Sequence, residues 1–139
     1  MPANDSPMIF VNLPVKDLGR SKAFFGALGF SFNPEFTSEE GASMIVNDGA
    51  SVMLLREDFF KTFTKREICD TSSHTEAILA LSCRTREEVD EIVMKAVAAG
   101  GSHALDSSDR GFMYSWSFYD PDGHHWEVVW MDPAALHQS

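Results

Sequence analysis

The sequence has 139 residues, of which 44% are hydrophobic and 23% are charged, and its formal net charge is −10. This length and composition predict one soluble domain with a buried core. The acidic balance argues against nucleic acid and anionic membranes, because both need Lys and Arg to neutralise phosphate groups. We therefore expect a small-molecule or protein partner. Two cysteines without a metal-binding spacing indicate a reducing, cytoplasmic compartment.

Residues 8–56 predict a first module of one strand, one helix and three further strands. The run MIFVNLPV at 8–15 is extended and apolar. Asp17 is a suitable N-cap for the helix, and Gly29 is a suitable stop signal. Three short strand-like runs follow, and turn sequences separate them. They read FSFNPEF, ASMIVND and SVMLLRE.

Residues 75–131 repeat the same order of elements. The run TEAILALSC predicts a strand, and Thr85 with Glu88 forms a capping box for the helix that follows. The runs SHAL, GFMYSWSFYD and HHWEVVWM predict three more strands. Asp17 and Thr85 hold equivalent N-cap positions in the two halves. We therefore predict an α+β fold with two βαβββ modules in tandem.

Both modules are expected to lie in a single domain over residues 1–139, joined by an insert at 57–74. The insert predicts a short amphipathic helix and then a polar loop. In one interpretation Phe59, Phe60 and Phe63 pack in a core or an interface. In the other the insert is a flap over a pocket, since unusually long inserts often carry function.

Two βαβββ modules in a chain of this size resemble the vicinal oxygen chelate superfamily, which includes glyoxalase I, the bleomycin resistance proteins and the extradiol dioxygenases. LPVKDLGRSKAFFGALGF at 13–30 is similar to the family's opening strand and helix. DPDGHHWEVVW at 120–130 is similar to its closing hairpin and final Glu-bearing strand. With the repeat, the resemblance covers residues 8–131. The sequence is also similar to a branch labelled predicted lactoylglutathione lyase or dioxygenase-like.

The resemblance implies that the modules curl a mixed sheet around a central cleft, as in the glyoxalase/bleomycin resistance/dioxygenase fold. Family enzymes hold one divalent metal there, with a ligand from the first and last strand of each module, and the metal acts as a Lewis acid. The equivalent positions here are Phe10, Leu54, Ile78 and Glu127. Three of these side chains have no lone pair to donate. We therefore expect that the metal site is lost and that the protein has no cofactor.

Glu127 is then an isolated carboxylate in an apolar strand, which is costly to bury without a partner. A tight turn at Pro121-Asp122 predicts which residues face one another across the final hairpin. The predicted pairs are Trp116 with Glu127, Phe118 with His125, and Tyr114 with Val129. Trp126 and Trp130 are expected on the opposite face, packed on helices.

Strand alternation predicts a cleft lined mainly by apolar and aromatic side chains, as ligand sites usually are. The predicted ligand-binding residues are Phe10, Asn12, Leu54, Arg56, Ile78, Tyr114, Trp116, His125 and Glu127. The polar members also have structural interpretations. Glu127 could simply be satisfied by Asn12, Tyr114 or Arg56, and His125 could be an ordinary hairpin histidine.

Two classes of function remain open, so the sequence leaves undecided whether the protein is an enzyme. The first is a metal-free module that binds a small aromatic or amphipathic molecule, with Glu127 holding a cationic or hydrogen-bonding group. The alternative is a glyoxalase-like lyase or dioxygenase-like enzyme, with or without metal, in which Glu127 is the catalytic general base. The first is favoured because no second catalytic group is evident. We also expect a homodimer.

Overall fold

The computed structural model describes residues 6–136, and within them it contains nine strands and four helices. The chain forms two compact units: unit 1 ends at Ile68 and unit 2 begins at Cys69. Each unit contains one mixed sheet, with four strands in unit 1 and five in unit 2. The α+β class and the two tandem modules are therefore confirmed. None of the helices in the described range is long and apolar enough to cross a bilayer.

Unit 1 has the sheet order β1-β4-β3-β2, in which only β1 and β4 are parallel. Its elements are β1 (Ile9–Val15), α1 (Leu18–Ala27), β2 (Ser31–Asn33), β3 (Gly41–Asn47), β4 (Ala50–Arg56) and α2 (Glu57–Phe60). β2 is shorter than predicted. The reason is that Pro34 cannot donate to a strand ladder and instead begins a 3-10 turn, which Asn33 caps.

α1 begins and ends as its sequence predicts. The carboxylate of Asp17 accepts a hydrogen bond from the backbone N–H of Arg20 at 3.0 Å. Phe24 and Phe25 are buried, and their rings meet edge to face at 4.9 Å between centroids. Gly29 follows the helix with φ of 104°, a left-handed conformation that favours glycine.

The helix α1 covers one face of the unit 1 sheet. Because side chains alternate along a strand, every second residue of β1, β3 and β4 lies on this face. The buried apolar residues there are Leu13, Val15, Ala42, Met44, Val52 and Leu54. The opposite face of β1 carries Phe10 and Asn12, which are both exposed. The unit 1 sheet therefore has a packed face and a more open one.

Unit 2 has the sheet order β5-β9-β8-β6, and β7 also pairs with β8. Its elements are β5 (Ile78–Cys83), α3 (Arg86–Ala98), β6 (Ser102–His103), β7 (Ser108–Asp109), β8 (Met113–Tyr119), β9 (His125–Met131) and α4 (Pro133–Leu136). The short elements β7 and α4 were not predicted, and β5 begins at Ile78 rather than at Thr75. The parallel pair is β5 with β9, which matches β1 with β4 in unit 1.

α3 is fixed by the predicted capping box. The hydroxyl of Thr85 accepts the backbone N–H of Glu88 at 3.0 Å. The carboxylate of Glu88 in turn accepts the N–H of Arg84 at 3.1 Å, one residue earlier than in the standard motif. Val89 and Val93 are fully buried, so this face of α3 packs on the sheet.

The turn between β8 and β9 spans Asp120–His124 and is built around a buried carboxylate. One oxygen of Asp120 accepts the N–H of Asp122 at 2.9 Å and the N–H of His124 at 3.0 Å. Gly123 has φ of 82°, which closes the turn in a conformation that few other residues adopt. The turn is therefore centred on Asp122.

Because the turn is centred on Asp122, the register of the final hairpin differs from the predicted one. The observed pairs are Trp116 with Val128, Ser117 with Glu127, Phe118 with Trp126, and Tyr119 with His125. The predicted pairs, Trp116 with Glu127, Phe118 with His125 and Tyr114 with Val129, are wrong by one residue. Because side chains alternate, a shift of one residue moves each of them to the other face of the sheet.

Asp120→Asn should destabilise the protein, because the side-chain amide cannot accept all the hydrogen bonds of the carboxylate. Asp120 is only 4% exposed, and its second oxygen accepts the indole N–H of Trp126 at 3.0 Å. We expect the free energy of unfolding to fall by about 2–4 kcal/mol in urea denaturation. The control Asp48→Asn lies in an exposed turn and should change it by less than about 0.5 kcal/mol. Equal unfolding midpoints for both variants would contradict this role of Asp120.

Candidate functional site

Glu127 lies in the middle of β9, between two neighbouring strands. It pairs with Ala80 of β5 on one side and with Ser117 of β8 on the other. The side chain is half-buried, and no hydrogen bond or ion pair joins it to any residue between 6 and 136. Every buried side-chain nitrogen or oxygen in this range has a partner, so the Glu127 oxygens reach the surface. The carboxylate is a free acceptor on the sheet.

The face of the sheet that carries Glu127 also carries Ile78 and His125, as predicted. Ile78 is 58% exposed, and its strand neighbour on the same face, Ala80, is exposed as well. The ring of His125 meets the ring of Tyr119 edge to face at 5.4 Å between centroids. We name this surface, formed by Ile78, Ala80, His125 and Glu127, the Glu127 face.

Tyr114 and Trp116, two other predicted members of the site, lie on the opposite side of the sheet, toward α3. The hydroxyl of Tyr114 donates to the carboxylate of Asp90 in α3 at 2.6 Å. This hydrogen bond, together with burial, raises the pKa of Tyr114. The ring of Trp116 stacks on His103 at 5.5 Å. The prediction that these two side chains line a site with Glu127 is corrected by the observed register.

The prediction for Trp126 and Trp130 is confirmed, since both lie on the α3 side. Trp126 is buried and stacks on Phe118 with 6.4 Å between ring centroids. The guanidinium of Arg86 in α3 lies 4.8 Å from the ring centroid of Trp130. The same guanidinium pairs with Asp109 at 2.5 Å, which raises the pKa of Arg86. The aromatic residues of unit 2 therefore mainly stabilise the packing between sheet and helix.

In unit 1 the predicted site residues divide between the two faces of the sheet. Phe10 is 56% exposed and shares the open face with Asn12, which pairs with Met53. Leu54 pairs with Leu13 and is fully buried on the α1 side, so its predicted place in the site is wrong.

Arg56 ends β4 and is exposed. Its guanidinium forms an ion pair with Asp58 at 2.8 Å. The sequence left open a pairing of Arg56 with Glu127, and the ion pair that Arg56 forms is instead with Asp58.

The internal repeat identifies which residue of unit 1 is equivalent to Glu127 of unit 2, and this residue differs from the predicted Leu54. Asn12 and Ala80 stand at the same distance before the N-caps of α1 and α3. Asn12 pairs with Met53 in β4, and Ala80 pairs with Glu127 in β9. Met53, rather than Leu54, is therefore the residue of unit 1 that corresponds to Glu127.

Comparison with known proteins agrees with this architecture. Residues 8–47 match the family model described as bleomycin resistance protein-like N-terminal. A hypothetical protein from S. aureus has a TM-score of 0.75 at 28% identity, covering 87% of this chain and 91% of that one. A glyoxalase-related enzyme from Fulvimarina pelagi has a TM-score of 0.75 at 24% identity, with coverages of 90% and 88%.

A fosfomycin resistance protein, FosX from Listeria monocytogenes, has a TM-score of 0.65 at 22% identity, with coverages of 90% and 93%. The chain has the vicinal oxygen chelate fold. The fold that the resemblance implies is thus confirmed. None of the curated proteins compared with the sequence matches it.

The residues at the metal positions of the vicinal oxygen chelate fold do not fit a divalent ion. The structure-based equivalents are Phe10 and Met53 in unit 1 and Ile78 and Glu127 in unit 2. They supply one carboxylate and one thioether, whereas such ions need several N, O or S ligands. No group of three or more His, Cys, Asp or Glu side chains in the described part of the chain could hold an ion.

We expect no tightly bound metal after incubation with Zn²⁺, Mn²⁺, Ni²⁺ or Fe²⁺ and dialysis. Elemental analysis of the untagged protein should give far less than one equivalent, with the same result for Glu127→Gln. A single carboxylate cannot hold a divalent ion against dialysis. One equivalent that is retained by the native protein and lost in Glu127→Gln would show that a metal site survives.

Neither cysteine offers a nucleophile. Burial and the neighbouring Glu88 raise the pKa of Cys83 to about 12. Burial and the nearby Glu76 also raise the pKa of Cys69. Both thiols therefore stay protonated near neutral pH, where the thiolate is the reactive form.

The sequence analysis missed a histidine–carboxylate pair beside the turn. His124 is 2% exposed, and its Nδ1 lies 2.9 Å from a carboxylate oxygen of Glu76. Nothing in the sequence relates Glu76, which precedes β5, to a turn so far along the chain.

Proposed function

We propose that the protein binds a small aromatic or amphipathic molecule without a metal, and that Glu127 contacts a cationic or hydrogen-bond-donating group of this ligand. The observation that carries the proposal is the unpaired carboxylate of Glu127 in the middle of a central strand. Its oxygens reach the surface and have no protein partner among the described residues, so they are accessible to a donor group of a ligand. An ammonium or N–H group of a ligand would supply that partner.

The surroundings of Glu127 favour a ligand with an apolar part. Ile78 is a large apolar side chain that is 58% exposed beside it. Exposed apolar surface next to a polar group is typical of binding sites. The net charge of −10 favours cationic over anionic ligands through long-range attraction. The match to a bleomycin resistance-like family model also favours a small-molecule ligand.

The aromatic part of the proposed site is smaller than the sequence predicted. Trp116 and Tyr114 lie on the α3 side and do not contribute. His125 and its neighbour Tyr119 supply the aromatic rings near Glu127 in unit 2. In unit 1, Phe10 and Asn12 occupy an open face of their own, and their role in ligand binding stays a prediction.

The alternative function, a lyase or dioxygenase-like enzyme with Glu127 as general base, is supported by the same accessible carboxylate. His125 is the other titratable side chain on the Glu127 face and is 9% exposed. We favour binding over catalysis, because a second group placed to stabilise a developing negative charge is not found beside Glu127 among residues 6–136.

The test compares matched aromatic amines and alcohols, such as phenethylamine and phenethyl alcohol, by calorimetric or NMR titration. The native protein should bind the amine about tenfold more tightly, because a charged hydrogen bond to a half-exposed carboxylate contributes on the order of 1.4 kcal/mol. Glu127→Gln should abolish that preference. The control Glu87→Gln, an exposed carboxylate on α3, should keep it.

Equal affinities for amine and alcohol in the native protein would refute the proposed role of Glu127. A preference that survives in Glu127→Gln would do the same. If the native protein converts a bound compound to a product and Glu127→Gln does not, the protein is an enzyme and not only a binding module.

We also propose that the protein is a cytoplasmic homodimer. Cys69 and Cys83 are free thiols, which suits a reducing compartment. Ile9, the first residue of the edge strand β1, and Met8 just before it are more than half exposed. An exposed apolar edge strand is a common place for a second chain to pack.

Light scattering should give twice the chain mass at high micromolar concentration. Ile9→Asp should shift the protein to a monomer with an unchanged circular dichroism spectrum, because it places a charge in an apolar contact. Met94→Asp, which changes a side chain 60% exposed on α3, should remain dimeric. A monomeric native protein would refute the dimer.

A further inference from the structure

A second candidate site lies in unit 2, at the turn end of its sheet. A cavity of about 450 Å³ that is open to solvent on one side is lined there by three segments: residues 71–75, the connection from α3 to β6, and residues 119–123. Its volume is within the range of pockets that bind small molecules. Glu127 and Ile78 do not line it, but Tyr119, which does, contacts His125 of the Glu127 face, so the cavity lies beside that face.

The lining of this cavity is dominated by hydroxyl groups. They belong to Thr71, Ser72, Ser73, Thr75, Ser102 and Tyr119. A hydroxyl both donates and accepts hydrogen bonds, and so does a hydroxyl of a ligand. No Lys or Arg is among the described lining residues, and the imidazole of His74 lies 2.7 Å from the hydroxyl of Ser73. The one carboxylate, Asp120, is committed to the hydrogen bonds of its own turn.

Three of the hydroxyls are available to a ligand. Thr75, Ser102 and Tyr119 have no hydrogen-bond partner within residues 6–136. Ser102 and Tyr119 are paired residues on β6 and β8, so their side chains lie on one sheet face. Tyr119 also offers an aromatic ring, which can cover the C–H face of a sugar-like molecule.

The walls of the cavity are held together by contacts that do not depend on a ligand. The hydroxyl of Thr71 donates to the backbone carbonyl of Asp122. Glu76 and His124, each one residue beyond these two segments, lie 2.9 Å apart between Oε1 and Nδ1. Gly123 packs so closely on Thr71 that a Cβ at this position would lie 2.6 Å from its hydroxyl oxygen. A cavity formed in advance binds with a smaller loss of conformational entropy.

We infer that this cavity binds a neutral polyhydroxylated molecule of the size of a monosaccharide or polyol. Lining hydroxyls match ligand hydroxyls in donors and acceptors, and the described lining has no Lys or Arg to select an anion. The net charge of −10 further disfavours phosphorylated ligands.

The experiment is an NMR titration of ¹⁵N-labelled full-length protein with D-glucose, D-ribose and glucose 6-phosphate. At least one neutral sugar should give saturable shifts at the cavity residues, with a dissociation constant of roughly 1–10 mM for so small a neutral ligand. Glucose 6-phosphate should bind more weakly than glucose. Ser102→Ala and Tyr119→Phe should each weaken binding by about three- to tenfold, since each removes one hydrogen bond.

Matched controls separate this site from other surfaces. Ser108→Ala and Tyr114→Phe remove hydroxyls outside the cavity and should keep the native affinity. Glu127→Gln should also keep it, so failure of the Glu127 proposal leaves this one standing. Gly123→Ala should abolish the saturable shifts, because it forces Thr71 away. If the Gly123 variant does not fold, the titration of Ser102→Ala takes its place. Ser102 is exposed on an edge strand, so this substitution should leave the fold intact.

Three results would overturn the inference. One is the absence of saturable shifts with either neutral sugar at tenfold above the expected range. The second is tighter binding of glucose 6-phosphate than of glucose. The third is an unchanged affinity in both Ser102→Ala and Tyr119→Phe.

Discussion

The buried carboxylate of Asp120 is the interaction on which the arrangement of unit 2 depends. It accepts N–H groups from Asp122, His124 and the indole of Trp126. Burial raises the pKa of Asp120, while nearby His124 and these hydrogen bonds act in the opposite direction. The turn that it organises determines which residues of β8 and β9 face one another, and therefore which side chains accompany Glu127.

That register divides the side chains of unit 2 into two groups with different roles. The aromatic residues on the α3 side pack on one another and beneath Arg86, whose guanidinium lies over the rings of Tyr114 and Trp130. Phe118 and Trp126 are almost completely buried. Most aromatic side chains of the closing strands therefore stabilise the fold, and on the Glu127 face the ring of His125 lies beside Ile78, Ala80 and Glu127.

The vicinal oxygen chelate fold supplies the scaffold here, but the described residues at its metal positions do not offer the usual set of ligands. Met53 and Glu127 occupy corresponding places in the two units, opposite Asn12 and Ala80 on the neighbouring strands. One thioether and one carboxylate cannot reproduce a set of N and O ligands. Function must therefore be argued from the side chains present, as is general for widely used folds. An accessible carboxylate and a hydroxyl-lined cavity are the two features that the described residues offer.

The sequence by itself determined the order of the elements, the caps at Asp17 and Thr85, and the apolar faces of α1 and α3, because these signals are local. It also determined that Phe10 and Ile78 cannot ligate a metal, since that follows from residue type. Only the tertiary structure decided that Leu54 is buried and that Trp116 lies away from Glu127. Both depend on strand register. The alternation of side chains along a strand does not determine that register to within one residue, and the turn fixes it. The contacts of Thr71 and Glu76 with the distant turn 120–124 were likewise decided only by folding, because no local pattern relates segments so far apart in the chain.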